Sequence, residues 1–196
     1  MSKKVIFILG SPRKKGNTNV LAREAMRGLA EAGIVSVEID APRLDFKSPG
    51  CISCYKCQQS KEYGCHIRDE LGQAVSRLAD HDAIVLATPL YWFSYPAQVK
   101  MFIDRMFSMI KFGEEHEILS PLRGKPMALL ATAGGGVEEN LELLDTQWRL
   151  PASKIDAPYR SCLFPFCQYA PGGVANDAAA MTKAAAFGRE LASLLK

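Results

Sequence analysis

The sequence predicts an α/β protein: a single doubly wound, five-stranded parallel sheet with helices on both faces. Three observations predict it. Short apolar runs alternate five times with longer stretches of helical period, as successive βα units require. The run Ala83-Ile84-Val85-Leu86-Ala87 has no polar break, as expected of a central parallel strand covered on both faces. A turn rich in glycine and polar residues follows the first apolar run directly and opens a helical pattern. At 196 residues and 48% hydrophobic content, the chain has enough length for one substantial core and reads as one domain, residues 1–196.

The elements follow in order. The first strand is expected at Lys4–Leu9, the first helix at Asn17–Ala32 and the second strand at the alternating Val35–Ile39. A cysteine-rich loop covers residues 48–66, and a helix follows near Asp69–Ala79. After the central strand Ala83–Ala87, a helix is expected at Pro96–Ile110, with proline tolerated in its first turn. Met127–Thr132 is the fourth strand, Val137–Leu150 a helix and Ser161–Phe166 the fifth strand. The alanine-rich stretch Val174–Leu195 closes the chain as a helix, and no internal repeat or low-complexity linker interrupts the series.

The turn from Gly10 to Asn19 has the chemistry of an anion cradle. Amides at a helix N-terminus lack partners and sit at the positive end of the dipole, and glycine lets the backbone come close. Ser11, Asn17 and Thr18 add side-chain donors, Arg13 adds charge, and Gly16 stands immediately before the helix. A triphosphate loop is excluded: five residues separate Gly10 from Gly16, and Asn17 stands where the Walker lysine would be. The G-x-G-x-x-G dinucleotide fingerprint is also absent, which leaves a cradle suited to a terminal monophosphate. Taken alone, the turn is also compatible with an ordinary loop before a capped helix.

In a doubly wound sheet, ligands sit at the carboxyl ends of the strands where strand order reverses, so the loops after strands one, three and four should converge. The second of these is Thr88–Tyr95, rich in aromatics, and the third is Thr132–Gly136, ending in three glycines. A planar aromatic ligand with a phosphate tail would use all three loops, and FMN fits that description. Tyr91 and Trp92 are assigned to the flavin edge, with Phe93 and Tyr95 left to packing or an oligomer interface. The Gly134–Gly136 run reads equally as a flexible turn.

The segments GSPRKKGNTN, TPLYWFSYPAQVKMFIDRMF and ATAGGG together resemble the NADPH-dependent FMN reductase branch of the flavodoxin-like proteins, over residues 4–136. The resemblance implies a flavodoxin-like fold, with Ser11, Arg13, Asn17 and Thr18 on the FMN phosphate. It implies that Pro89, Leu90, Tyr91, Trp92, Phe93 and Ser94 line the isoalloxazine ring. Gly134, Gly135 and Gly136, in the loop begun by Thr132, would contact the ring's polar edge. Asp104 and Arg105 would be helix-packing or subunit-interface residues, with a solvated helix face as the plain alternative. NAD(P)H as reductant, a small acceptor such as a quinone or flavin, and a homodimer or homotetramer are implied with it.

Cys51, Cys54, Cys57 and Cys65 supply four thiols within fifteen residues, spaced x2, x2 and x7. That is a local clamp of the kind that holds an iron–sulfur cluster or a zinc ion. The pattern resembles the compact motif of the iron–sulfur flavoproteins, a subgroup of the same family. Three outcomes stay open here: a [4Fe–4S] cluster, free thiols, or zinc. Cys162 and Cys167 fall near a predicted buried strand and read as core thiols.

Other classes find little support. A net charge of +3, without basic runs interleaved with aromatics, argues against nucleic acid. No stretch approaches the roughly 18 apolar residues of a membrane helix, and the N-terminal apolar run is too short for a signal peptide. A cytoplasmic location with reduced cysteines is expected. His66 is a spare ligand beside Cys65, while His81 and His116 read as solvated loop residues. No Ser/His/Asp or paired-carboxylate set shares a loop, so hydrolysis lacks machinery. Two function classes remain: an FMN-dependent NAD(P)H oxidoreductase, and an electron carrier taking electrons from ferredoxin through a cluster and FMN. A thiol-based or zinc-stapled sensor is a third.

Overall fold

A computed structural model describes residues 2–195. Its sheet is built from β1 (Lys4–Leu9), β2 (Val35–Asp40), β3 (Ala83–Pro89), β6 (Met127–Thr132) and β7 (Tyr159–Phe164). The strand order is β2-β1-β3-β6-β7, and every neighbouring pair is parallel. The helices are α1 (Asn17–Ala30), α2 (Lys56–Gln59), α3 (Glu70–Ser76), α4 (Ala97–Arg105), α5 (Glu142–Lys154) and α6 (Ala178–Ser193). This is the doubly wound, flavodoxin-like order expected, and the three interior strands β1, β3 and β6 are apolar because helices cover both faces.

The period of two along each strand divides the core. Ile6, Ile8, Ile84, Leu86 and Leu129 point to one face, packed with α3, α4 and α5 residues such as Val99, Phe102 and Trp148. Val5, Phe7, Leu9, Val85 and Leu130 point to the other, against α1 and α6. Each such fully buried side chain contributes roughly 1.5–3 kcal/mol of burial. Trp148 satisfies its one donor by giving Nε1–H to the Ala128 carbonyl at 3.0 Å. The helices α1 and α6 touch backbone to backbone: a Cβ at Gly28 would lie 2.1 Å from the Ala185 oxygen, and one at Gly188 2.0 Å from the Ala25 oxygen.

Several boundaries differ from expectation for identifiable reasons. The first helix ends at Ala30, where Gly33 takes a left-handed φ of 74° and closes the turn. The helix expected at Asp69–Ala79 is α3 followed by a 3₁₀ turn at Arg77–Asp80, and the one expected to reach Ile110 is α4 followed by a 3₁₀ turn at Met106–Met109. The helix expected from Val137 begins as a single π turn at Val137–Leu141, distorted at Glu139 (φ 50°), so α5 starts at Glu142 and runs through Pro151. The fifth strand lies two residues earlier than expected, because Pro165 has no N–H to continue the ladder. The closing helix starts at Ala178, capped by Asp177, whose carboxylate accepts the Ala180 amide at 3.0 Å. A two-residue antiparallel pair, β4 (Lys111–Phe112) and β5 (Ile118–Leu119), was not expected at all. Among the described residues, no helix is long and apolar enough to cross a membrane.

Candidate functional site

The turn after β1 is drawn tight against the neighbouring strand. The Gly10 amide donates to the Ala87 carbonyl at 2.7 Å, and a Cβ on Gly10 would meet Val99 Cγ2 at 2.4 Å. Only glycine permits that approach. The Arg13 amide donates to Ser11 Oγ at 3.3 Å and the Gly16 amide to the Arg13 carbonyl at 2.8 Å, curling the segment into a cup. Gly16 is the N-cap of α1 and supplies no capping side chain, so the helix opens its first-turn amides and dipole into that cup.

Three loops converge as the topology requires. Ser11, Arg13, Gly16, Asn17 and Thr18 meet Pro89, Leu90 and Tyr91, and Thr132 with Gly134, around one cleft. Thr18 and Thr132, both buried, share a hydroxyl–hydroxyl hydrogen bond of 2.8 Å that ties the turn to the end of β6. The enclosed part of the cleft measures about 200 Å³. That is less than the roughly 300–1,000 Å³ of pockets that bury a whole small molecule, so the cleft has room for only one end of such a ligand.

Five predicted residues lie outside the lining: Trp92, Phe93, Ser94, Gly135 and Gly136. Tyr91 and Ser94 exchange backbone hydrogen bonds of 2.9 and 3.0 Å, pinching Trp92 (φ 46°) and Phe93 (φ 59°) into a left-handed turn. Bulky residues held there cost of order 1–3 kcal/mol each, and the turn presents Trp92, 92% exposed, to solvent. Tyr95 is buried and donates its hydroxyl to the Leu144 carbonyl at 2.9 Å, a packing role. Gly135 uses its carbonyl to accept the Phe166 amide at 3.0 Å.

The segment after β7 completes the cleft, and sequence reasoning missed it. Cys167, Gln168 and Tyr169 line its wall. Asn17 Nδ2 donates to the Gln168 carbonyl at 2.6 Å, Asn17 Oδ1 accepts the Val174 amide at 3.2 Å, and Arg13 Nη1 donates to the Tyr169 carbonyl at 3.2 Å. Cys167 is therefore not a core thiol but a half-buried cleft residue, its amide bonded to the Ala133 carbonyl at 2.8 Å. Burial raises its thiol pKa against the side-chain hydrogen bond from Asn17. Cys162 is a core thiol, pushed up to about 11 by burial. The aromatic residues Phe166 and Tyr169 beside Gly172-Gly173 were the available signal.

The four clustered cysteines line a second pocket, with His66, Phe107 and Arg105. All four are free thiols, Cys57 buried, Cys65 half-buried, Cys51 and Cys54 exposed. Their sulfurs already attract N–H donors: the Ser53 amide to Cys51 Sγ at 3.4 Å and Gln58 Nε2 to Cys57 Sγ at 3.7 Å. Ser53 (φ 52°) and Tyr55 (φ 55°) hold the loop in left-handed conformations, and Lys111 Nζ donates to the Cys57 and Ser60 carbonyls. Among the described residues, no three His, Cys, Asp or Glu side chains converge tightly enough for a single metal ion. Tetrahedral zinc at about 2.3 Å from each sulfur would need thiolates about 3.8 Å apart.

Arg105 is the helix-packing residue expected, rather than a solvated or interface one. It is buried, and its Nη1 and Nη2 donate to the Asp69 carboxylate at 3.2 and 2.7 Å, with Nη2 also reaching the Ile67 carbonyl at 3.1 Å. Asp69 further accepts the Lys47 and Gly72 amides at 2.9 and 2.8 Å, the latter capping α3. Burial pushes the Asp69 carboxyl up, but Arg105 and the two amides outweigh it and hold it below the usual range. Asp104, half-exposed, pairs with Lys100 at 2.5 Å. His81 is buried rather than solvated, with Nδ1 against the Arg77 carbonyl at 2.9 Å, and His116 is exposed.

Similarity to known proteins follows the same lines. An iron–sulfur flavoprotein of Methanocaldococcus jannaschii is 29% identical over 201 residues, covering 98% of this chain and 97% of that one. An NAD(P)H oxidoreductase of Escherichia coli is 28% identical over 121 residues, 60% of this chain and 59% of that one. The solved NAD(P)H:quinone oxidoreductase from Methanothermobacter marburgensis superposes with a TM-score of 0.74 at 22% identity, over 97% of this chain and all of that one, and so shares the fold. The family described as NADPH-dependent FMN reductase matches residues 3–155. With that match over most of its length, the chain belongs to the NADPH-dependent FMN reductase family and is an FMN-dependent NAD(P)H oxidoreductase.

Proposed function

We propose that the cleft holds FMN with its phosphate in the cup formed by Ser11, Arg13, Gly16, Asn17 and Thr18. The observation that carries this is a helix N-terminus without a side-chain cap, flanked by hydroxyls and Arg13, at the carboxyl edge of the sheet. Pro89, Leu90 and Tyr91 then flank the ring from one side and Gly134 from the other, with Trp92, Phe93, Ser94, Gly135 and Gly136 on the outer rim. FMN held there would supply the redox chemistry, a hydride equivalent taken from NAD(P)H and electrons passed to a quinone, flavin or other small acceptor. The chain's part is to bind and orient, since the cleft lining contains neither a carboxylate nor a histidine. An open rim lets reductant leave before the acceptor enters, and the exposed Trp92–Phe93 turn suits the boundary of a homodimer or homotetramer. The test is anaerobic addition of NADPH or NADH to FMN-loaded protein. Bleaching of the flavin bands, with FMN bound at least tenfold tighter than riboflavin, is expected; equal affinity for the two overturns the phosphate placement.

A second reading adds a cluster, because all four clustered thiols line one pocket. Cys51, Cys54, Cys57 and Cys65 are the number and kind of ligands a [4Fe–4S] cluster takes, one thiolate for each of four irons spread farther apart than the ligands of one ion. Zinc would need the tight set that is not formed here. In this reading the protein carries electrons from ferredoxin or a similar cytoplasmic donor. About four irons per chain in protein purified without oxygen, lost on Cys54→Ser, are expected. An iron-free chain with FMN leaves the plain reductase with free thiols.

A further inference from the structure

The guanidinium of Arg105 is fully engaged on one side and unengaged on the other. Its Nη atoms are spent on Asp69 and Ile67, while Nε is buried with no hydrogen-bond partner. Arginine is 1% exposed here, and it lines the pocket that the four cysteines surround. A buried donor left without an acceptor costs roughly 1–3 kcal/mol, so a site that keeps one has a use for it. The bidentate Asp69 pair, itself held by the Lys47 and Gly72 amides, fixes the plane of the guanidinium and leaves Nε no freedom to turn elsewhere.

We infer that Arg105 is a positioning residue whose Nε–H donates to a sulfur of the group held by Cys51, Cys54, Cys57 and Cys65, and so raises its reduction potential. The inference rests on the cluster reading above. With a cluster bound, its one-electron couple would take a single electron from an external low-potential reductant, with no bond broken and no proton moved. The added negative charge spreads over the sulfurs, so an N–H donor favours the reduced state. Asp69 offsets the arginine charge, leaving the directed hydrogen bond as the distinctive contribution.

The test uses the full chain, reconstituted with iron and sulfide without oxygen, as wild type and as Arg105→Lys. Lysine keeps a cation opposite Asp69 and removes the Nε fork. Iron content, thermal midpoint and an EPR-monitored potential are measured on both. Equal iron, a midpoint within a few degrees and a tenfold smaller reduced-to-oxidised ratio at fixed potential are expected, which is 59 mV for one electron. A fully loaded variant with an unmoved potential overturns the inference and leaves the cluster reading intact; a wild-type chain that takes up no iron overturns both. If the variant does not fold, wild-type protein carrying ¹⁵N-arginine decides: pulsed EPR of the reduced cluster shows a nitrogen coupling from arginine, and its absence refutes the contact.

Discussion

Asn17 makes the sharpest test of how the cleft is assembled. It sits at the first position of α1 and holds the segment after β7 with two hydrogen bonds, one donated to Gln168 and one accepted from Val174. Each is worth about 0.5–1.5 kcal/mol net, so Asn17→Ala removes about 1–3 kcal/mol of restraint on that wall. If FMN must then order the segment on binding, its Kd rises roughly 5-fold to 150-fold. Asn17→Asp separates the wall from the phosphate. The carboxylate still accepts the Val174 amide and suits a helix N-terminus, which offsets part of the lost bond to Gln168, but it faces the Gln168 carbonyl and the phosphate with negative charge. FMN should therefore lose at least tenfold more affinity than riboflavin in Asn17→Asp, while Asn17→Ala, which adds no charge, should open a smaller gap between the two. Fluorescence titration of apoprotein with both flavins, alongside thermal midpoints, reads the comparison. Unchanged FMN affinity in Asn17→Ala refutes the clamp, and an unchanged FMN-to-riboflavin ratio in Asn17→Asp refutes the phosphate placement.

Three further outcomes are expected. Gly28→Ala should lower stability by about 2 kcal/mol in denaturant titration, because a Cβ 2.1 Å from the Ala185 oxygen meets backbone that cannot rotate away; overpacking of about 1–3 kcal/mol outweighs alanine's helix preference, and a stabilised variant would contradict the packing. FMN should protect Cys167 from alkylation while Cys51 and Cys54 still react in metal-free protein, as mass spectrometry of labelled peptides would show; equal labelling of Cys167 with and without FMN removes it from the cleft. Asp69→Asn should cost roughly 3–5 kcal/mol at neutral pH by breaking a buried pair. Since the folded-state carboxyl is held low, the wild-type advantage is complete above the ordinary aspartate value of about 3.9 and shrinks as pH falls below it; a gap that stays constant down to pH 2 would count against the pair.

The interior strands were legible because each is a dense apolar run, buried along nearly its whole length. Lys4–Leu9 and Met127–Thr132 have the bounds their composition implies. The cup after β1 was legible as a shape for a different reason, since its polar residues are contiguous and open a helix. Helix ends were less legible: Glu139 and the 3₁₀ turn at Met106–Met109 answer to tertiary packing, which no local period reports. The wall formed by Cys167, Gln168 and Tyr169 was invisible because it meets Arg13 and Asn17 across some 150 residues of chain. Arg105 has the helix-packing role expected of it, but the partner that gives it that role was hidden on the same ground. Its partner Asp69 lies 36 residues away and looked like nothing more than the start of a helix.

The helix α4 shows why the two pockets are not independent features of one surface. It begins just after the strained Tyr91–Ser94 turn and ends at Arg105 inside the cysteine pocket, nine residues or about 14 Å away. Along its length Val99 abuts Gly10 at the phosphate cup, and Asp104 sits 3.1 Å from where a Cβ on Gly50 would stand, at the edge of the cysteine loop. Its remaining face is fixed in the core by Phe102. A packed helix of this kind moves as a body or not at all, because interiors at close-packed density do not deform continuously. The cup, the aromatic turn and the guanidinium are thus held in one frame, so under the placements proposed above the orientation of a flavin at one end and of a sulfur ligand at the other would be set by the packing of a single element rather than by the loops around them.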